Sequence, residues 1–171
     1  MEDEQAMHML IRVLTLGRSP DDALGRARGT LDHLVGIGKY ATPVFDYYRT
    51  MNDTAARFRD HPTYGQLDPV LSLESETGKQ ILEEAVDAQE RWFVDTLAEL
   101  REKLDTLDPT EVMTDVDLAR FDCYRVGQFA GPSVWVYDEH GAGLRSRSAV
   151  DEYVECHDDD DLWIVPADVH Y

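Results

Sequence analysis

Apolar residues recur at intervals of three and four through the first hundred residues, which is the spacing of one face of a helix. Met7, Leu10, Val13 and Leu14 predict an opening helix ended by Gly17. Ser19-Pro20-Asp21-Asp22 reads as a helix start: a capping side chain, proline at the first position, acids in the first turn. Leu24, Ala27, Leu31 and Leu34 continue that helix to Gly36-Ile37-Gly38. Thr42-Pro43 predicts a third helix with the stripe Val44, Tyr48, Met51, Ala55 and Phe58. His61 to Pro69, with two prolines and Gly65, reads as a loop.

A long helix is predicted over residues 76–107. It carries Ile81, Leu82, Ala85 and Val86 first, then a heptad seam of Phe93, Leu97, Leu100, Leu104 and Leu107, with Trp92 beside it. Its length of roughly 48 Å exceeds that of the helices predicted around it, so part of the seam should outrun its cover. Asp108-Pro109-Thr110-Glu111 is a further helix start. After about Leu118 the pattern changes. Phe121–Phe129 and Val134–Tyr137 are rich in aromatic and β-branched residues and predict strands. Asp138-Glu139-His140-Gly141 reads as a hairpin turn, Ser146 or Ser148 as the cap of a short helix over Ala149–Cys156, Asp158–Asp161 as a solvated turn, and Leu162–Val165 as a last strand closed by Pro166.

These elements predict an α+β protein in two parts. Residues 1–110 form an N-terminal helical bundle with one long helix, and residues 117–171 form a small antiparallel β unit with a short helix.

Composition bears on where such a protein works. Of 171 residues, 35 are acidic and 16 basic, and only three of the basic ones are lysine, for a net charge of −19. Such a surface is at ease in molar salt, where the Debye length falls to about 3 Å, and the composition resembles that of proteins from salt-accumulating archaea. The charge is uneven: residues 1–67 hold nine acids and eight bases, and the remainder carries almost all the excess. A buried or dimer-covered surface explains a near-neutral first third, and so does a binding face for nucleic acid. The acidic start Met1-Glu2-Asp3-Glu4 has the wrong sign for a signal peptide, no apolar run suits a membrane span, and two cysteines make no disulfide framework. The expected location is the cytoplasm.

Candidate chemistry is sparse. Gly36-Ile37-Gly38-Lys39 lacks the preceding glycine and the following Ser or Thr of a phosphate loop, having His33 and Tyr40 there. His140, Cys156, His157 and Asp158–Asp161 are metal-ligand types without a compact zinc spacing. Cys123, beside Phe121 on one face of a predicted strand, reads as a small core residue rather than a nucleophile. No Gly-x-Ser-x-Gly and no paired Glu-x-x-His occurs. No cofactor is implied, and the chain does not read as an enzyme.

Two stretches speak to DNA. The run VWVYDEHGAGLRSRSAVDEYVE, Val134 to Glu155, resembles the core of the methyl-CpG-binding family of small three-stranded DNA-binding domains. That resemblance implies a hairpin in the major groove with Arg145 and Arg147 as groove or phosphate contacts. The acids Asp138, Glu139, Asp151, Glu152 and Glu155 in the same unit favour a hairpin packed on its own helix. Helices broken at Gly36–Tyr40 are compatible with a helix-turn-helix bearing Lys39, Arg49, Arg57 and Arg59. The leading expectation is a non-enzymatic interaction or regulatory protein of a halophilic archaeon. It would self-associate through Phe93, Leu97, Leu100, Leu104 and Leu107, with a DNA-binding transcriptional regulator as the alternative.

Overall fold

In a computed structural model, residues 8–128, 131–157 and 161–171 are described. Their elements, in chain order, are β1 (His8–Leu16), α1 (Pro20–Leu34), β2 (Tyr47–Thr50), β3 (Asp60–His61), β4 (Gly65–Gln66), β5 (Leu71–Ser72), α2 (Glu76–Thr106), α3 (Pro109–Thr114), α4 (Arg120–Gly127), β6 (Val136–Tyr137), α5 (Arg147–Cys156) and β7 (Leu162–His170). The class is mixed α and β. The layout is not a helical bundle followed by a β unit, because strands come first and the first strand lies inside the main sheet.

That sheet is built on β1 and β7, which run antiparallel and pair at nine positions from His8↔His170 to Leu16↔Leu162. β6 adds to the far edge of β1 in parallel, and β2 and β5 share the outer edge of β7. Segments expected in separate units are thus hydrogen-bonded along their whole length. The opening stripe, whose Met7 lies outside the described residues, forms a strand and not a helix. Its run His8-Met9-Leu10-Ile11-Arg12-Val13-Leu14-Thr15 is buried on both sides. Ile11, Val13 and Thr15 favour the extended chain, and a strand covered on both faces reads as a continuous apolar run rather than an alternation.

The two faces have separate cores. Met9, Ile11 and Val13 meet Val165, Ala167 and Val169 beneath Ala27, Leu31 and Leu34 of α1. Leu10, Leu14 and Ile164 meet Ile81, Leu82, Ala85 and Val86 of α2, with Val150 of α5 beside them. α1 starts at its predicted cap, Ser19, which accepts from the Asp22 amide at 3.2 Å; α2 starts at its predicted residue, behind Ser75, which accepts from the Gly78 amide at 3.0 Å. Gln89 is fully buried on α2 and ties three elements together. Its amide donates to the Leu144 carbonyl at 2.9 Å and its oxygen accepts from the Trp135 amide at 3.0 Å.

Further differences have local causes. The stripe after Pro43 folds as β2 and turns: Tyr48 joins the α1-side core and Met51 the α2-side core. β7 continues through Pro166 to His170. Arg12 donates its amide to the Trp135 carbonyl on the β6 side, so its partner Pro166 turns its nitrogen away from β1. It turns into the gap between the pairings of β5 and β2, where no donor is needed. The predicted strand Phe121–Phe129 is α4 over its described part, and Cys123 is exposed rather than in the core. Val134–Tyr137 contributes a two-residue strand parallel to β1 and closes a short hairpin, the Asp138 amide donating to the Ala142 carbonyl and the Leu144 amide to that of Val136, each at 2.9 Å, but it belongs to the main sheet and not to a separate three-stranded one. The turn at Asp138–Gly141 forms as expected. Asp138 accepts from the amides of His140 and Ala142, each at 2.8 Å, and Gly141 has φ 80°. Ser146 caps α5 through the Ala149 amide at 3.1 Å. The expected turn Asp158–Asp161 lies, except for Asp161, outside the described residues.

Candidate functional site

The second half of α2 leaves the sheet. Its last buried residue is Thr96, and the ten residues that follow extend it by roughly 15 Å. α3 turns the chain at the end of this extension, and α4 folds back against α2 to make an arm. Asp108 caps α3 by accepting from the Thr110 amide at 2.7 Å. α4 is tied to α2 by an ion pair between Lys103 and Asp122, and by the Arg125 guanidinium 5.2 Å from the Trp92 ring centre. Eight of the twelve large exposed apolar side chains among the described residues lie here: Val94, Leu104, Val112, Met113, Val116, Leu118, Phe121 and Tyr124. Met113 is 83% exposed and Phe121 67%. Of the heptad seam, Leu104 is open to solvent, whereas Phe93, Leu97, Leu100 and Leu107 are half-buried. A cleft of about 420 Å³ at the base of the arm is lined by Met9, Trp92, Phe121, Arg125, Trp135 and Tyr171.

The basic residues singled out for DNA are dispersed and engaged. Arg147 is clamped by Glu83 at 2.8 Å, Asp87 at 2.9 Å and Glu90 at 3.3 Å, which raises its pKa further. Arg145 donates to the Val126 carbonyl at 2.7 Å and lies over Phe93, 4.8 Å from the ring centre. Lys39 lies over the exposed Tyr40 ring. Arg49 donates to the Ala55 carbonyl at 2.8 Å and stands 3.9 Å from Asp53. Arg57 and Arg59 follow in the turn after β2, where the Arg57 amide donates to Asp168 at 2.9 Å.

Among the described residues no three His, Cys, Asp or Glu side chains converge to hold a metal ion. His157 instead meets the Tyr153 carbonyl at 2.7 Å. No helix among the described residues is long and apolar enough to cross a membrane.

Two polar clusters on the α2 face of the sheet went unnoticed in the sequence. Arg12, in the middle of β1, is buried. Its Nε donates to the Ile81 carbonyl at 3.1 Å and its Nη1 to that of Leu10 at 2.5 Å. Glu84 stands 3.9 Å from Arg12, accepts from the Tyr64 hydroxyl at 2.9 Å and lies 3.4 Å from His61. Burial lowers the Arg12 pKa to about 10 against the opposing pull of Glu84 and Tyr64. The second cluster is at the end of the sheet, where buried His8 meets buried Asp168 at 2.7 Å and the Tyr47 hydroxyl at 3.2 Å. The one available signal was a pair of histidines bounding two apolar runs, at positions 8 and 170, and it has meaning only once those runs are known to pair.

The architecture is that of a mixed sheet with helices on both faces and a projecting helical arm. The chain belongs to a family described as a domain of unknown function (DUF7995), whose profile matches residues 7–171. No curated protein and no solved structure shows significant similarity to the chain.

Proposed function

We propose that the chain is an interaction module that pairs with a second copy of itself through the distal half of α2 together with α3 and α4. Its setting would be the cytoplasm of a salt-accumulating archaeon. The observation that supports this reading is the concentration of exposed apolar side chains on the arm of a chain whose surface is otherwise strongly acidic. Contiguous exposed apolar surface of this kind marks interaction sites. A second copy is the occupant because it brings the same seam. Leu97, Leu100, Leu104 and Leu107 of two arms present matching heptad positions, and a twofold axis gives each patch its own complement. The like charge of the copies is screened in molar salt, which is where the composition is at ease.

Light scattering with absorbance at two wavelengths, in molar KCl, tests the reading. A dimer mass that becomes monomeric in Leu104→Asp and Phe121→Asp, both at exposed positions, with the circular dichroism of the parent retained, supports it. A monomer at tens of micromolar overturns it. Excess mass with nucleic-acid absorbance, lost when Arg49, Arg57 and Arg59 are replaced, would favour the DNA-binding regulator instead.

A further inference from the structure

We propose that Tyr47 is a nucleophile, activated by the His8–Asp168 pair, that takes up a phosphoryl group from an anionic phosphate ester. The inference does not rest on self-association, and it departs from the expectation that the chain performs no chemistry.

The sheet register assembles the parts. His8 pairs with His170, and His170 pairs with Tyr47, so the three side chains form one row across β1, β7 and β2 on a single face. Asp168, two residues before His170, lies on the same face of β7. His8 and Asp168 are buried side chains, 3% and 0% exposed. The carboxylate offers only acceptors, one oxygen to His8 Nδ1 at 2.7 Å and the other to the Arg57 amide at 2.9 Å. The proton of neutral His8 therefore sits on Nδ1, and the Nε2 lone pair faces the Tyr47 hydroxyl at 3.2 Å. In this tautomer the phenol donates and the imidazole accepts.

Carboxylate, imidazole and hydroxyl in this order are the working parts of a base-activated nucleophile, with the carboxylate fixing the tautomer of the base. Unlike its two partners, Tyr47 reaches solvent, with 38% exposure. Its ring is held by stacking on His170, centres 5.0 Å apart and planes 7° apart, and His170 is anchored by Asp46 at 2.9 Å. The substrate class follows from Arg49, whose guanidinium lies 5.4 Å from the Tyr47 ring centre and whose side chain is 36% exposed. This part-exposed guanidinium lies over the face of the Tyr47 ring and spends one N–H on the Ala55 carbonyl; its remaining N–H groups are the ones that would draw a phosphate to this tyrosine. In the step, Tyr47 Oη bonds to phosphorus as its proton passes to His8 Nε2. The bond from phosphorus to the ester oxygen breaks on the side opposite Tyr47, the departing oxygen takes its proton from solvent, and His8 keeps the tyrosine proton. The products are phosphotyrosine and an alcohol or phenol.

The experiment incubates the full chain in molar KCl with p-nitrophenyl phosphate, follows nitrophenolate release, and maps phosphate by peptide mass spectrometry. The expected result is release of about one equivalent with the phosphate on Tyr47 and none on Tyr40, which is more exposed but has no imidazole at its hydroxyl. Tyr47→Phe keeps the ring and should abolish the release. His8→Gln should slow it about 100-fold or more, the usual weight of general base catalysis. Circular dichroism of both variants checks folding, and Tyr47→Phe alone decides the matter if His8→Gln does not fold. Absence of phosphate on Tyr47, or equal labelling of Tyr40, overturns the proposal.

Discussion

Replacing Arg12 with methionine should stabilise this protein, although the change deletes a charged residue from the middle of its central strand. The guanidinium is almost wholly buried, and burial lowers its pKa from the ordinary arginine value to about 10. Each unit is worth about 1.4 kcal/mol, so carrying the charge costs the folded state roughly 3 kcal/mol relative to the unfolded chain. The unfolded state holds more protons only from about pH 10 up to the ordinary arginine range, so stability gains from this group as pH rises above about 10. Below it both states are protonated and the full cost is present at neutral pH. Methionine keeps the unbranched stem and removes the charge. It also removes donors to the Ile81 and Leu10 carbonyls, a loss of about 1–2 kcal/mol in all. The Ile81 oxygen retains its place in the helix. Glu84, 38% exposed, stays solvated without its partner, so the balance is a gain of about 1 kcal/mol. Urea unfolding in fixed molar KCl, followed by the fluorescence of Trp92, Trp135 and Trp163, measures it as a higher midpoint at unchanged slope. A loss of 1 kcal/mol or more would refute the reasoning and show that the hydrogen bonds outweigh the burial.

Glu84→Gln should have the opposite sign, because Arg12 then stays buried without its countercharge. Glu84 is more than a third exposed, so the loss should stay below about 1 kcal/mol in the same urea assay. Arg147→Ala leaves Glu83, Asp87 and Glu90 facing one another. The melting temperature should fall in dilute buffer and recover in 1 M KCl, where the Debye length is about 3 Å. Gly29→Ala, with open space at its Cβ inside α1, should stabilise by about 0.5–1 kcal/mol. Gly78→Ala, whose Cβ would overlap the Ser72 carbonyl, should destabilise by about 1–3 kcal/mol, and the pair of thermal melts tests both signs. Leu31→Ala, at the centre of the α1 face of the sheet, should cost about 2–5 kcal/mol of unfolding free energy.

The sequence by itself determined the features whose signal and partner lie within a few residues. Ser19, Ser75, Asp108 and Ser146 bond to amides two or three positions ahead, so the starts of α1, α2, α3 and α5 were legible, or nearly so, as side-chain chemistry. The long helix, its seam and the turn at Asp138–Gly141 are local in the same sense. The tertiary structure decided what depends on distant pairing. Met9 to Leu14 has the spacing of a helix face, but a strand buried on both sides shows apolar residues at those intervals too. Only the presence of β7, more than 140 residues away, provides the hydrogen bonds that make the extended form the stable one. The aromatic run in α4 met the reverse fate: with no strand beside it, its backbone bonds to itself and it lies against α2. The cluster of His8, Asp168 and Tyr47 belongs wholly to this second kind. Its members are scattered over the chain, and what brings them within hydrogen-bonding distance is the register of three strands, set by the burial of apolar side chains on both faces of the sheet.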